Sequence, residues 1–488
     1  MEELNEEELL TPEKLEFLID NKKVKAIREI FETTPELDIA EVANEIEDTK
    51  KLVFLFKVVK SEYTAVFFTE LNSDKKEELI TVMSDDQLVD LLEDQFTDDI
   101  VDDIQDLPAN LVYRVLKNVS KEKRKDINRL LNYKDNTAGS IMTVEFLGLN
   151  QKMDREQALA RIRSIGREKE TVLTTFVFDD QRKMVGTLDL DDLVFARDSD
   201  LVADIMNQDF LTVGVNTDQE EVAQMFKDYD LNAIAVLNDD ERLVGIITID
   251  DVVDVIEEEA TEDMAKLAGV APLENSYLET SVFKMAWKCA PWLMVLLVLG
   301  TFSSMILNKF EDALTYLPIL VPFVTVLMDT GGNAGGQTTT LMVRGLAVQE
   351  FEPRDYWKIV WKELRVAIVT GLMVCVFACL WFLAEMYIGI IGFDGADINI
   401  IDGVPTALTG GALFFARLEI AGLVAGTLFC GIIVAKFVGT SLPMLVAALK
   451  KDPALISSPF VTTVVDVCSL LIYLGFAYML FSNILPAL

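Results

Sequence analysis

The chain has 488 residues, with 80 acidic against 43 basic side chains, a formal net charge of −37 and no histidine, yet its mean hydropathy is +0.29. So negative a chain repels phosphate and argues against a nucleic-acid partner, while the lack of histidine removes the commonest transition-metal ligand and the usual general base. Residues 283–488 hold only 14 acidic and 12 basic side chains, so the first 282 residues carry a net charge of −35 and the chain has two unlike parts.

Residues 1–136 are predicted to form an acidic helical domain. The segments ELDIAEVANEIED, SDDQLVDLLED and TDDIVDDIQDLP each carry carboxylates in the first turn, where they favour a helix through its dipole. Their similarity suggests a stack of helical hairpins. Asp98 and Asp102 are four residues apart and would share a helix face, where a bound cation would offset their repulsion. A solvated acidic surface without a bound ion is the plainer interpretation.

Residues 137–200 and 201–255 are predicted to be two copies of one α/β unit. The stretch TAGSIMT is echoed by VADIMNQ, and KMVGTLDLDDLV is echoed by RLVGIITIDDVV. Each copy has a helix pattern, a strand, a glycine turn, a second strand and a helix opened by Asp-Asp. Two such copies are expected to pack as a pair, either for purely structural reasons or around a ligand cleft.

Residues 256–283 are predicted to form a connecting helix between the soluble part and the membrane. The run DVIEEEATEDMAKLAGVAPLENSYLETSVFKMAWK contains little proline or glycine. A long helix here could carry a motion from the soluble part to the membrane.

Residues 284–488 are predicted to form a transmembrane domain, because about 20 apolar residues suffice to span a bilayer. The five predicted spans are Cys289–Asn308, Ala313–Ala347, Val366–Phe393, Ala412–Leu449 and Phe460–Leu485. Basic side chains precede the first span and occupy the loops after the second and fourth, whereas the loop after the third carries Asp394, Asp397 and Asp402. The positive-inside rule then places the soluble part in the cytoplasm and the C-terminus outside. All five cysteines lie in this domain and are interpreted as small apolar side chains.

The second predicted span contains the polar stretch MDTGGNAGGQTTT. Four glycines together with Asn333 and Gln337 are poor material for a membrane helix, so we expect a broken span that lines an ion or substrate path. Asn333 and Gln337 are the candidate pore-lining residues. Tight packing through small residues is the alternative interpretation.

Asp466 is the only charged side chain between Pro453 and the end of the chain, and it lies in the middle of a membrane-length apolar segment. A carboxylate there costs roughly 2.5–3.5 kcal/mol on insertion scales. Something other than lipid must offset that cost.

Three stretches resemble the MgtE family of magnesium channels: VPFVTVLMDTGGNAGGQTTTLMVRGLA, KKDPALISSPFVTTVVDVCSLLIYLG and DDVVDVIEEEATEDMAKLAGV. The internal repeat is similar to a tandem pair of CBS domains. The resemblance implies a multi-domain membrane protein with a cytoplasmic α-helical N-domain, a tandem CBS (α/β) pair, a connecting or plug helix and a five-helix transmembrane domain. It also implies a homodimer that conducts Mg²⁺ down its gradient through a pore between the subunits and that cytoplasmic Mg²⁺ closes.

The same resemblance assigns roles to individual residues. Asp466 matches the pore aspartate, which would hold hydrated Mg²⁺ through its waters because Mg²⁺ dehydrates reluctantly. Asp452 would lie at the cytoplasmic mouth and bind Mg²⁺ with Glu262 and Asp263 of the connecting helix. The resemblance also implies a regulatory Mg²⁺-sensing cluster, whose expected members are Asp98, Asp102, Glu220, Asp230, Asp251 and Asp254.

Two other functions are compatible with the sequence. A coupled secondary transporter would use Asp466 as a protonatable carrier site, and a non-transporting membrane sensor would only report Mg²⁺. An enzyme is not expected, because no nucleophile–base pair, phosphate loop or cofactor motif is present. The expected partners are Mg²⁺, membrane lipid and a second copy of the chain, with a nucleotide at the CBS pair left open, as is selectivity among Mg²⁺, Co²⁺, Ni²⁺, Mn²⁺ and Ca²⁺.

Overall fold

The computed structural model describes residues 10–105, 107–273, 277, 280–395, 400–401, 404–405, 407–456 and 458–481. The chain divides into two compact units, Met1–Glu257 and Glu258–Leu488. Asp397 and Asp402, which entered the orientation argument, lie outside the described residues, as do Ser457 and the last residues of the predicted fifth span.

The N-terminal part of the first unit is helical, as predicted. Its helices are α1 (Pro12–Asp20), α2 (Val24–Thr33), α3 (Glu36–Asn44), α4 (Thr49–Leu52), α5 (Leu55–Val58), α6 (Ser61–Thr69), α7 (Ser73–Val82), α8 (Asp85–Asp94), α9 (Thr97–Gln105), α10 (Ala109–Asn118) and α11 (Lys121–Leu130). Their apolar faces meet in one core, in which the rings of Phe31 and Phe67 pack edge to face with centroids 5.4 Å apart. Polar caps start several of these helices; Ser84 and Gln87 form a reciprocal capping box on α8.

The two sequence repeats fold alike. Their elements are β1 (Gly148–Asn150), α12 (Arg155–Ile165), β2 (Thr174–Phe178), β3 (Met184–Asp189), α13 (Leu190–Phe195), α14 (Val202–Ile205), β4 (Thr212–Gly214), α15 (Gln219–Tyr229), β5 (Ala233–Leu237), β6 (Leu243–Thr248) and α16 (Ile249–Leu267). The sheets have the orders β1-β2-β3 and β4-β5-β6, each with one parallel and one antiparallel pair. The register is also repeated, since Val177 pairs with Gly186 and Val236 pairs with Gly245.

The repeats interlock through the stretches that the sequence echoes. Thr143, which precedes the first sheet, pairs with Ile246 of β6 in the other repeat, and Asn207 pairs reciprocally with Thr187 of β3. This crossing brings backbone against Gly186 and Gly245; a Cβ on either glycine would lie 2.7 Å from a carbonyl oxygen of the opposite repeat. The two glycines are therefore required by the close approach of the repeats.

Helix α16 is shorter than the predicted connector over residues 256–283. It ends at Leu267, two residues before Gly269, whose φ of +73° is a left-handed conformation that commonly ends helices. The next helix begins only at Val282. The connection is thus not one continuous helix.

The second unit is built from membrane-length helices. They are α17 (Val282–Lys309), α19 (Val321–Ala347), α20 (Tyr356–Ile388), α21 (Gly410–Ala448) and α22 (Ser458–Leu480), joined by the short helix α18 (Glu311–Tyr316) and the strand pair β7 (Ile400–Ile401) and β8 (Val404–Pro405). Among the described residues, four helices are long and apolar enough to cross a membrane: α17, α20 with the turn before it, α21 and α22. Helix α19 has the length, with 27 residues, but its middle is polar and rich in glycine.

The prediction that the second span is broken at MDTGGNAGGQTTT is wrong. Helix α19 runs unbroken through this stretch, and the interruption lies upstream, in the short 3₁₀ turn Pro318–Leu320. Gly331, Gly332, Gly335 and Gly336 are all buried. Small residues let α21 and α22 approach α19 closely, so packing holds a sequence of low helix propensity in helical form.

Candidate functional site

Asp466 lies where α22 packs against the glycine row of α19. A Cβ on Gly332 would collide with Thr462, and one on Gly335 would lie 3.1 Å from both Val461 and Val465. Asp466 is one turn beyond Thr462, and its Oδ1 would be 3.5 Å from a Cβ on Gly332. That oxygen is buried and has no hydrogen-bond partner among the described residues. A carboxylate so placed needs a cation or water to compensate its desolvation.

A stripe of polar side chains runs along α19 beside Asp466. Asp329, Asn333 and Gln337 are spaced four residues apart and are all exposed in a single copy of the chain. The Asp329 carboxylate is close enough to Asp466 to interact with it electrostatically. The sequence analysis did not select Asp329, although its four-residue spacing from Asn333 was a usable signal. Carboxylate and amide oxygens are ligands that suit hard cations such as Mg²⁺.

A second charged group of the second unit, which we call the mouth group, consists of Glu262, Asp263, Lys266 and Asp452. Lys266 Nζ lies 2.5 Å from Glu262 Oε1 and 2.6 Å from Asp452 Oδ2. Burial, and next the charge of Asp452, raise the pKa of Asp263 to about 6. Partial burial lowers the pKa of Lys266, but the hydrogen bonds to Asp452 and Glu262 outweigh it and raise that pKa. The structure thus brings together the three predicted mouth residues and adds a lysine that the sequence analysis missed.

A buried ion pair links three membrane-length helices. Lys436 of α21 lies 3.3 Å from Glu363 of α20 and donates a hydrogen bond of 3.1 Å to Thr338 of α19. Both charged side chains are buried. Neither was predicted, because Lys436 is a lone lysine in an apolar segment, Glu363 lies among other charged residues in WKELR, and nothing in either local sequence shows that the two pair.

The first unit contains an acidic cluster, which we define as Asp98, Asp99, Glu145, Glu170, Asp250 and Asp251. Thr143 Oγ1 lies 3.0 Å from both Asp98 Oδ1 and Glu145 Oε2, which share its single proton, and Thr97 also donates to Glu145. Thr248 Oγ1 donates a 2.8 Å bond to Asp251 Oδ2. The negative charge of the nearby Asp103 is compensated by Lys76, whose Nζ lies 2.6 Å from Asp103 Oδ1.

Burial and mutual repulsion raise the pKa values of four carboxyl groups of the cluster, those of Asp98, Asp99, Glu170 and Asp251. Burial is the largest cause at each of these groups, followed mostly by neighbouring carboxylates. It raises the pKa of Asp99 and of Asp251 to about 6 and that of Glu170 to about 8, and it raises the pKa of Asp98 well above its ordinary value. A divalent cation among these groups would favour their ionised forms and so oppose the raised pKa values.

Of the six predicted sensing residues, three lie in or beside the acidic cluster and three do not. Asp98 and Asp251 meet in the acidic cluster, and Asp254 lies at its edge, where it interacts with Asp250 and Asp251. Asp102 is exposed on α9. Glu220 and Asp230 stand at opposite ends of α15, roughly 15 Å apart by helical rise, so one chain cannot use both to hold one ion.

Sequence reasoning missed Asp99, Asp250, Glu145 and Glu170. The first two adjoin predicted residues, so adjacency was a signal for them. Glu145 and Glu170 come from the first repeat, and no feature of the local sequence indicated that they belong to the cluster. Among the described residues, one group of three carboxylates has ligand atoms within 4.8 Å of one another, Asp189, Asp191 and Asp192; it is exposed and contains no predicted ligand.

Comparison with known proteins gives consistent matches along the chain. The family model of the divalent cation transporter MgtE matches residues 324–476, that of the MgtE intracellular N domain matches residues 34–136, and that of the CBS domain matches residues 202–258. The chain is 34% identical over 478 residues to a magnesium transporter MgtE of Thermus thermophilus, which covers 95% of this chain and 99% of that protein.

Two further relatives cover less of the chain. A magnesium transporter MgtE of Enterococcus faecalis is 34% identical over 358 residues, covering 73% of this chain and 72% of that protein. Among solved structures, the cytosolic domain of the Mg²⁺ channel MgtE in complex with ATP matches with a TM-score of 0.46 and 28% identity, over 50% of this chain and 99% of that one.

Proposed function

Because this chain belongs to the MgtE family of divalent cation transporters, we propose that it is a Mg²⁺-selective channel of the cytoplasmic membrane that cytoplasmic Mg²⁺ closes. Family membership itself supports magnesium transport by a multi-pass membrane protein, and it makes the chain a transporter rather than an enzyme. The channel mechanism, the gating and the residues that perform them are our proposal.

The observation that carries the proposal is the surroundings of Asp466. Its buried Oδ1 has no hydrogen-bond partner among the described residues, and the polar stripe of Asp329, Asn333 and Gln337 runs beside it. Hydrated Mg²⁺ can be held through its own waters by such oxygens without losing its hydration shell. The ion and its waters would compensate the charge of the Asp466 carboxylate, which lipid cannot do.

The exposure of that stripe favours a homodimer. In a single copy, Asp329, Asn333 and Gln337 would face the bilayer, where polar groups are costly. A second copy packed against the same face would enclose them around a water-filled path. The two copies of Asp466 would then contribute to one pore.

The acidic cluster is the proposed sensor of cytoplasmic Mg²⁺. Its carboxylates repel one another, so a conformation in which they converge is favoured when Mg²⁺ binds and disfavoured when it leaves. Helix α16 contributes Asp251 to the cluster and Glu262 and Asp263 to the mouth group. It is the element through which sensing would reach the pore, with Mg²⁺ at the mouth group favouring closure.

The orientation is part of the proposal. Lys284 and Lys288 precede α17, and Lys450 and Lys451 follow α21. The positive-inside rule places these ends, and with them the first unit, in the cytoplasm, and the C-terminus outside.

Single-channel recording in a planar bilayer tests the function. With Mg²⁺ as the permeant cation, we expect current at low cytoplasmic Mg²⁺ and suppression at high Mg²⁺. The double variant D98N/D251N should need about tenfold more Mg²⁺ for closure, whereas D90N, an exposed change on α8, should behave like the unchanged protein. Absence of current, together with uptake into vesicles that requires a proton gradient, would replace the channel with a coupled transporter.

A further inference from the structure

Lys266 places its ammonium group between carboxylates from two separate segments of the second unit. Glu262 lies one turn earlier on α16, and its pairing with Lys266 is local. Asp452 lies 186 positions away in the sequence, just before α22, and accepts a 2.6 Å hydrogen bond from Lys266 Nζ. The bond to Asp452 therefore joins the end of α16 to the segment that leads into the helix of Asp466.

The arrangement differs from an ordinary surface ion pair. Exposed pairs contribute little because water screens them and their side chains stay mobile. Here the side chains of Lys266, Glu262 and Asp452 are only 23%, 26% and 35% exposed. Asp263 adds a third carboxylate, which interacts electrostatically with Asp452 and with Lys266, so the group has three carboxylates and one ammonium group. Without a cation, their repulsion would separate α16 from Asp452.

A lysine ammonium group and a Mg²⁺ ion satisfy such carboxylates in different ways. The ammonium group is a compact charge with three donors, and it can bond to two carboxylates at once. Mg²⁺ brings twice the charge together with its own waters. The two cations seek the same oxygens of Glu262 and Asp452, so they exclude each other there.

We propose that Lys266 is a built-in cation, which holds Glu262 and Asp452 together when Mg²⁺ is scarce and which Mg²⁺ displaces when it binds. The competition between Lys266 and Mg²⁺ rests on the proposed function, in which these carboxylates bind Mg²⁺. The tether, by which Lys266 holds α16 to Asp452, does not rest on it. Two consequences follow. Loss of Lys266 loosens the end of α16 in the absence of Mg²⁺, and it lowers the Mg²⁺ concentration that is needed to protect the same segment.

Hydrogen–deuterium exchange on the full-length protein in lipid nanodiscs measures both consequences. Residues 258–268 are followed for the unchanged protein, K266M, K266R and K358M, first in EDTA and then across a Mg²⁺ titration. Lys358 serves as the matched control, because it is an exposed lysine of the same unit whose nearest carboxylate is 3.8 Å away. K266R keeps the positive charge and the donors.

In EDTA, we expect K266M to exchange at least about threefold faster than the unchanged protein, with K358M unchanged and K266R close to unchanged. In the titration, K266M should reach protection at a Mg²⁺ concentration at least about threefold lower, because the competing state is gone. Equal exchange of K266M and the unchanged protein in EDTA would overturn the tether. An unchanged or higher Mg²⁺ midpoint for K266M would overturn the competition.

A further variant and a further outcome distinguish failure of the Lys266 tether from failure of the proposed Mg²⁺ site. D452A removes the acceptor of the same bond and should also loosen the segment in EDTA; failure of both K266M and D452A to do so refutes the tether independently of the lysine. If Mg²⁺ protects the segment in no variant, the mouth carboxylates are not a Mg²⁺ site, and the competition is refuted with that part of the proposed function. The comparison in EDTA still decides the tether.

Discussion

In the second unit, Lys436 and Glu363 are buried together with 3.3 Å between their charged atoms, and Lys266 bonds to Glu262 and Asp452. In the first unit, Asp98 and Asp251 converge with other carboxylates, and the hydrogen-bond partners described for them are threonine hydroxyls. The second unit therefore neutralises these charges with its own side chains, whereas the first unit, although it pairs Asp103 with Lys76, also keeps a cluster of like charge. Asp466 is the exception in the second unit, with a buried oxygen that lacks a described partner.

The difference indicates which charges serve the architecture and which can serve ions. A fully buried pair such as Lys436 with Glu363 has already found its counter-ion, so removal of one charge is a matter of stability. The partly exposed pairs of Lys266 lie between the two cases, because Mg²⁺ can compete for their carboxylates. A converged set of carboxylates stores repulsion that an added cation or protonation relieves, and raised pKa values are its signature. This distinction predicts different consequences for substitutions that look similar in the sequence.

The largest effect is expected for Asp466, whose carboxylate in the second unit has a buried oxygen without a described partner. D466A should reduce Mg²⁺ uptake into proteoliposomes to the level of empty vesicles, because the ion loses the oxygens that hold its hydration shell. Folding should persist, since a buried oxygen without a partner is removed; this is checked by the thermal unfolding midpoint in detergent. The matched control is E385Q, which changes a carboxylate near the end of α20 that accepts a bond from Trp381. Uptake by D466A at the rate of E385Q would refute the pore assignment.

The paired charges should behave in the opposite way. K436M and E363L alone should each lower stability by about 3–5 kcal/mol, because each leaves the partner's buried charge uncompensated. The double variant K436M/E363L should recover most of that loss, since two apolar side chains of similar length fill the same space. Chemical unfolding in mixed micelles measures the coupling. Additive losses in the double variant would show that the two residues do not act as a pair.

The smallest effect is a pH dependence of the acidic cluster. A carboxyl group whose pKa is raised by folding binds its proton more tightly in the folded state, so stability falls as the pH rises through the folded pKa values, from about 6 for Asp99 and Asp251 to about 8 for Glu170. In EDTA, calorimetry of the full-length protein should show the transition of the first unit moving down by several degrees between pH 5 and pH 8.5.

Two changes to that experiment sharpen it. Excess Mg²⁺ should flatten the pH dependence, because a bound cation compensates the ionised carboxylates. D251N should flatten it in EDTA, while D90N should leave it intact. A transition that rises with pH in EDTA would contradict the picture of stored repulsion.

Much of the architecture was predictable from the sequence. The helical N-terminal part followed from amphipathic segments with acidic first turns, and the paired α/β units followed from the echo of IM and VG motifs. The membrane-length helices followed from hydropathy, although α19 is a continuous helix where a break was expected. Its glycines are poor helix formers in isolation, and the close packing that stabilises them in the helix involves α21 and α22, which are distant in the sequence.

The candidate sites were predictable only in part. Asp466 was conspicuous as a lone charge in an apolar segment, and the resemblance to the family supplied Asp452, Glu262 and Asp263. Glu145 and Glu170 were not found, because nothing in the local sequence of the first repeat indicates that they meet Asp98 of α9. Lys266 was visible only as a helix residue four positions after Glu262.

By itself, the sequence determined the division into an acidic and an apolar part, the helices, the repeat and the isolated aspartate, because hydropathy, periodicity and charge act over a few residues. Only the tertiary structure decided which carboxylates converge, that Lys436 meets Glu363, and that Lys266 meets Asp452. Those outcomes depend on distances between segments far apart in the chain, which are set by how the apolar faces pack.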